Sequence, residues 1–304
     1  MARAPRARKK AGSVKEAKST SRLAPILLGI INKTKAFFAG RTGAPLLQPY
    51  FDLWKLLHKG AVYSPTTGFC FKAAPMVGLA TAVAALLLLP AGGVAPLAFP
   101  GDLVLFAYLL GLGRFFTVAA ALDTGSSFEG MGASREVLFS ALAEPAFFLV
   151  LAALASRTGS LSLSSLLQID SSAWAQAFPA LLLMLVALFV VLLTENSRIP
   201  VDDPNTHLEL TMIHEVMILD HGGVDLAFIL YAAALRLWIL GSLIVRLILP
   251  AAWPEGWFLA GMLGLAVVIG VVESSKARLQ LKRVPKFIGS AAVLAALALM
   301  LVVR

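Results

Sequence analysis

Seven apolar runs of about twenty residues each dominate this chain and limit its fold more than any other feature. They are Ala73 to Pro90, Asp102 to Leu122, Leu138 to Ala155, Ala177 to Thr194, Leu226 to Leu249, Gly256 to Val272 and Pro285 to Val303. A helix rises ~1.5 Å per residue, so ~20 apolar residues reach across the ~30 Å of hydrocarbon in a bilayer. None of the runs alternates as barrel strands do. With 59% apolar and 14% charged residues, the chain is excluded from the class with one soluble core. The expected fold is all-α: a polytopic integral membrane helix bundle with seven transmembrane helices.

An eighth apolar stretch, Leu23 to Ile31, is too short to cross alone and reads as a half-span or interfacial helix. Residues 1–22 carry eight Lys/Arg and one Glu, which reads as a basic, disordered tail or a contact for acidic lipid. No small-residue cleavage site follows the first apolar stretch, so it is not read as a cleavable signal. Residues 23–304 then form a single transmembrane domain.

Basic residues set the expected orientation. The loops 32–72, 123–136, 195–225 and 273–286 hold thirteen Lys/Arg, whereas the three intervening loops hold only Arg157. The positive-inside rule places the first four in the cytoplasm of an inner-membrane protein and the carboxyl terminus outside. Net charge of +9 is accounted for by these loops and the tail, and no basic face interleaved with aromatics points to nucleic acid. The single cysteine, Cys70, cannot hold an iron–sulfur cluster, so any redox centre must belong to a partner chain.

One loop is chemically dense. Between Glu195 and Asp225 lie seven of the seventeen carboxylates, three of the four histidines and Arg198. Asp203-Pro204 reads as an N-cap followed by proline at the first helical position. A short amphipathic surface helix striped by Leu208, Met212, Val216 and Leu219 would follow. His207, His214 and His221 fall seven apart, too far for a zinc chelate at i and i+4, and no metal site is expected. Carboxylates beside imidazoles can relay protons near neutral pH. The same composition also suits a hydrated docking surface, and the residues alone leave both readings open.

Charges inside spans are more telling, because an unpaired one costs about 3 kcal/mol or more in lipid. Arg114 and Arg236 sit mid-span, and Glu144 is the one acid well inside a helix. They are expected to face the bundle interior, pair, or line a hydrated path; a pair that only fixes helix packing is the plainer alternative. Arg246 lies near a helix end and can snorkel. In the first loop, Pro45 and Pro49 precede a helix with Tyr50, Phe51, Leu53, Trp54, Leu56 and Leu57 on one side and Asp52, Lys55 and Lys59 on the other. Such a helix lies in the interface or against a partner, with polar residues able to close a lateral cavity.

Three segments carry a family resemblance. The first is Leu46-Leu47-Gln48-Pro49 with Asp52, Lys55-Leu56-Leu57 and Lys59; the second is Phe71 with Ala74-Pro75. The third is Arg198, Pro200 and Asp202 followed by Glu209-Leu210. From Pro25 onward the chain resembles the membrane subunit shared by complex I, its subunit 1 or H family, and the energy-converting [NiFe]-hydrogenases. Asn205 and His207 replace two glutamates of the complex I pattern, and Asp220-His221-Gly222-Gly223 replaces its EYSG after a two-residue insertion. That wording is similar to the hydrogenase branch, of the formate hydrogenlyase type, and weighs against quinone binding. The family has eight helices.

The resemblance implies a subunit with no cofactor of its own. It would anchor a cytoplasmic module that holds the [NiFe] centre and iron–sulfur clusters, with hydrogenase large and small subunits, an iron–sulfur subunit and antiporter-like membrane subunits as partners. Family acids of the ion path carry over to Glu144, Asp202 and Glu209. Glu136, Glu195, Asp203 and Glu215 follow as their local neighbours, and Arg198 matches the loop arginine. Arg114 and Arg236 rest on burial alone. Gln48, Pro49, Asp52, Lys55 and Lys59 would form the interface or cavity loop. The alternative is a complex I subunit forming part of a quinone chamber, which needs an aromatic-lined lateral cavity beside the first loop. An independent secondary transporter would show inverted repeats and broken midplane helices, and the sequence has neither.

Overall fold

The computed structural model describes residues 4–90, 95–168, 177–203, 211–250 and 253–303, with side chains from Thr20 onward. Among these residues all regular structure is helical: α1 (Ala4–Phe38), α2 (Gln48–Leu57), α3 (Phe69–Leu88), α4 (Asp102–Asp123), α5 (Ser127–Thr158) and α6 (Leu163–Leu166). There follow α7 (Phe178–Glu195), α8 (His214–Met217), α9 (Gly223–Ile248), α10 (Glu255–Ser275) and α11 (Val284–Val303). Helices α3, α4, α5, α7, α9, α10 and α11 are long and apolar enough to cross a membrane, and they coincide with the seven runs read from the sequence. The protein is a multi-pass membrane protein.

Hydropathy located the spans but not all their ends. Helix α5 starts at Ser127, well before its apolar run, because Glu129, Arg135 and Glu136 extend the helix past the part that reads as oily. It stops where Gly159 takes the left-handed conformation at φ 64° and its amide closes onto the Ala155 carbonyl, a glycine C-terminal stop. The stretch Leu23 to Ile31 is not a separate half-span: it lies inside α1, a 35-residue helix that is already helical from Ala4, where the sequence suggested an unstructured tail. Ala24, Leu27 and Ile31 are buried on one face of α1, which packs mainly on α10 and α9.

Helix α9 is the centre of the bundle, with 72% of its apolar window buried against 22% for α4 and for α11. The outer helices turn Tyr108, Phe115, Leu122 and Val293 outward, the apolar exterior that lipid requires. Where helices approach closely, small residues permit it, as in membrane bundles generally. A Cβ on Gly270 would lie 2.7 Å from the Thr34 Cβ of α1.

The two ends of the bundle are built differently. At one end the loops before α3, α5, α9 and α11 meet. Asp123 at the end of α4 accepts the Gly68 and Phe71 amides at 2.8 and 3.0 Å, capping the start of α3 with a carboxylate. Glu129 accepts the Asp220 amide, and Arg278 pairs with Asp202. At the other end, buried Asp102 accepts the Leu163 amide at 2.7 Å and the Ser162 hydroxyl at 3.1 Å. There too Arg246 pairs with Glu255 at 3.0 Å and lies over the Phe258 ring, so it is bound rather than free to snorkel. Trp253 and Trp257 sit beside that pair, as interfacial tryptophans do. The division into four basic loops and three others is thus a division between two physical ends.

Candidate functional site

Arg114 is the hub of the site. It projects from the middle of α4, donates to Glu144 of α5 at 2.7 Å and to Glu195 at the end of α7 at 2.5 Å. Glu136, just over two turns before Glu144 on α5, and Arg236 of α9 stand close enough to interact electrostatically with Arg114 and Glu195. Four helices therefore each contribute ionisable groups to one cluster, in which Arg114 and Glu195 are largely buried while Glu144, expected to face the interior, is about half exposed where it borders the cavity. In a low-dielectric interior such charges persist only when paired or hydrated.

The cluster closes one end of a cavity of about 730 Å³ between α4, α5, α7 and α9. Its walls are apolar, among them Leu103, Phe147, Leu151 and Leu240. Tyr108, Phe115 and Phe148 form an exposed rim on the side of the bundle. Glu195 also lines a much smaller pocket with Glu136, Ser140, Thr194, Ser197 and Asp202. Carboxylates and hydroxyls thus run from the arginine hub to Asp202 on the dense loop.

Asp202 is 1% exposed and fully engaged. One oxygen pairs with Arg278 at 2.9 Å and the other accepts the Ile213 and His214 amides at 3.2 Å. These contacts correct the expected loop helix. Among the described residues it is only His214–Met217, because Asp202 binds the amides at its start and Arg278 holds the Thr211 carbonyl. Asp203 does not begin a helix that is continuous through Met212. Nor does the helix lie on the surface: Met212 and Val216 are buried, and Val216 presses against Gly132 of α5. Residues 204–210, with Asn205, His207, Leu208 and Glu209, lie outside the described residues. Asp203 and Glu215 adjoin Asp202 and His214 on the loop.

His214 faces the cluster. Burial, together with the positive charge of Arg236, pushes its imidazole down to about 3, so it is neutral at physiological pH. His221 is also pushed down by burial, partly offset by its contact with the Phe71 carbonyl and by Asp225 and Asp220.

The remaining sequence candidates fall into two separate places. Arg198 turns away from the hub and shares Glu273 with Lys35, at 3.4 and 2.9 Å, tying the loop after α7 to the ends of α1 and α10. On α2, Gln48 donates to Asp52 at 2.7 Å and Pro49 lies in the first turn; Lys55 on the helix and Lys59 just beyond its end are exposed. Phe51, Trp54 and Leu57 of α2 are exposed as well, which fits the broad apolar side read from the sequence. None of these first-loop residues lines the large cavity. Glu273 and Arg278 were missed as partners, because in sequence they are ordinary charges at a span end and in a basic loop.

The fold and the cluster define a class: a multi-pass membrane protein that gathers paired charges within an apolar helix bundle. The chain belongs to the NADH dehydrogenase family, which it matches over residues 19–304. It is similar to hydrogenase-4 component C of Escherichia coli (strain K12), 32% identical over 81% of this chain and 77% of that protein. It is similar also to formate hydrogenlyase subunit 4 of the same organism, 31% identical over 87% of this chain and 89% of that protein. A chain in the structure of the membrane-bound sulfane sulfur reductase, an archaeal respiratory membrane complex, shares the fold. Its TM-score is 0.83 at 21% identity, covering 96% of this chain and 99% of that one. The family and the hydrogenase branch inferred from the motifs both agree with these matches.

Proposed function

We propose that this chain is the membrane anchor and coupling subunit of an energy-converting [NiFe]-hydrogenase complex of the formate hydrogenlyase type. It links electron transfer in a docked module to proton or sodium movement. The loop-rich end faces the cytoplasm and receives the module, which carries the [NiFe] centre and iron–sulfur clusters in its large, small and iron–sulfur subunits. Antiporter-like membrane subunits lie alongside. The observation that carries the reading is Arg114 shared between Glu144 and Glu195, continued through the Glu136 pocket to Asp202. A proton arriving on one of these acids changes which of them holds the arginine, and that change passes between helices without a redox group in the chain.

Replacing Glu144 by Gln removes one competing charge and keeps the side chain's shape. Hydrogenase activity assayed with an artificial dye is expected to stay near the parental value while coupled proton movement falls; an unchanged proton yield per electron would remove Glu144 from the path.

A second reading, a complex I subunit with part of a quinone chamber, is favoured by the name of the matched family. It needs an aromatic-lined lateral cavity beside the first loop; the cavity of about 830 Å³ at that loop, lined by Asn32, Lys35, Arg41 and Ser274 among others, has Phe38 as its one aromatic wall, and the aromatic-rimmed cavity lies instead between α4, α5, α7 and α9. Sensitivity of the assembled complex to quinone-site inhibitors would support the second reading over the first.

A further inference from the structure

A second polar connection reaches the charged cluster from the opposite side. His221 is 6% exposed and stacks on the Phe71 ring, with centroids 3.9 Å apart and planes 24° from parallel. Its Nε2 lies 3.3 Å from the Phe71 carbonyl oxygen, which can only accept, so Nε2 carries the proton and Nδ1 presents a lone pair. That Nδ1 is buried with no hydrogen-bond partner. An orphaned acceptor inside a bundle is costly, on the order of 1–3 kcal/mol, unless something donates to it.

His221 lines a pocket between α3, α4 and α9 with about 10 Å³ of free volume, roughly what one water needs. The pocket's other polar side chains are Thr117 of α4 and Arg236 of α9; the remaining walls are apolar or glycine. Thr117 already donates its hydroxyl hydrogen to the Gly113 carbonyl at 3.0 Å, which leaves its lone pairs as acceptors. Arg236 supplies donors only. One water oriented between the three completes every role: it accepts from the Arg236 guanidinium and donates its two hydrogens to His221 Nδ1 and Thr117 Oγ1. A sulfate or a metal ion would fail, the first for lack of room and of a hydrogen for Nδ1, the second because Arg236 repels it.

We propose that this pocket is a binding site for a single ordered water, and that His221 acts through that water to fix the orientation of Arg236 within the charged cluster. His221 is then a positioning residue. Arg236 also lines the large cavity beside Arg114, Glu144 and Glu195, so the water joins the turn before α9 to the hub by a route that bypasses Asp202. On the outer side, Asp225 and Asp220 act on His221, with Lys72 over the ring of Tyr63 nearby; Tyr63 donates to Asp225 at 2.7 Å, and the Asp220 amide donates to Glu129 at 3.3 Å. The water site stands on geometry alone; its effect on coupling rests on the ion-path reading above.

The test is electron cryomicroscopy of the intact membrane complex, at a resolution that shows ordered waters, on the parent and on His221→Phe, His221→Asn and Thr117→Val. Density for one water touching His221 and Arg236 is expected in the parent. His221→Phe keeps the ring stack and should lose the water, and Thr117→Val should weaken its density. Coupled ion movement should fall about fivefold in His221→Phe, the effect of one lost hydrogen bond, with dye-linked activity kept. His221→Asn, which restores an acceptor near the Nδ1 position, should recover most of it. An empty pocket in the parent overturns the site. Equal coupling losses in the Phe and Asn variants, or an Arg236 that keeps its orientation in His221→Phe, overturn the positioning role. If instead the parental water is present while Glu144→Gln leaves the proton yield unchanged, the water site stands and the ion-path reading falls.

Discussion

At the scale of single residues, the hub depends on one cation. Arg114 serves acids from two helices, so its removal strands both, whereas removing either acid leaves the arginine one partner. Arg114→Gln is therefore expected to destabilise the protein by on the order of 3 kcal/mol, and Glu144→Gln, whose side chain is 49% exposed, by about 1 kcal/mol or less. Thermal unfolding of the purified complex in detergent would rank them; equal effects would mean that the pairs act separately. His214 gives a pH signature. Its folded pKa lies below the ordinary histidine value, so the unfolded state binds the proton more tightly. Stability from this residue is complete above about pH 6.5 and is lost as pH falls toward the folded value. Discounted for partial exposure, the loss by pH 5 is on the order of 1 kcal/mol. The midpoint temperature should drop between pH 7 and pH 5, and His214→Asn should flatten that slope. These residues show what a sequence can disclose. Arg114, Glu144 and Arg236 stood out because charge inside an apolar run is expensive. That Glu195 completes the hub, and that Arg198 belongs to Glu273 instead, depends on which helices touch, and no local pattern encodes it.

At the scale of elements, helices are fastened to their neighbours by carboxylates at their ends. Asp123 of α4 holds the first amides of α3, and Gly68 permits the approach, since a Cβ there would lie 2.8 Å from Asp123 Oδ1. Asp123→Ala should cost about 1 kcal/mol and speed amide exchange at Gly68 and Phe71 more than in the middle of α3. Uniform exchange along the helix would show that the carboxylate is not its cap. The spans themselves were legible because runs of Leu, Val and Ala have no other use at that length. The start of α5 and the true extent of α8 were not. In α5 the helix outlasts its hydrophobicity; at α8 side chains from Asp202 and Arg278 take the backbone groups that a longer helix would have used.

At the scale of the whole molecule, loop charge separates two ends, and the proposed orientation makes them cytoplasmic and external. In a Cys70→Ser background, Lys282→Cys should resist a membrane-impermeant maleimide added from outside, and Ser160→Cys should react. The reverse labelling would invert the orientation. Glu273 gives this architecture a vulnerable point. One carboxylate on α10 grips Lys35 from α1 and Arg198 from the loop after α7, so three distant stretches of chain share a single knot. Untying it by mutation would loosen the seat on which any docked neighbour rests, and the loss would surface as failed assembly before any change in turnover.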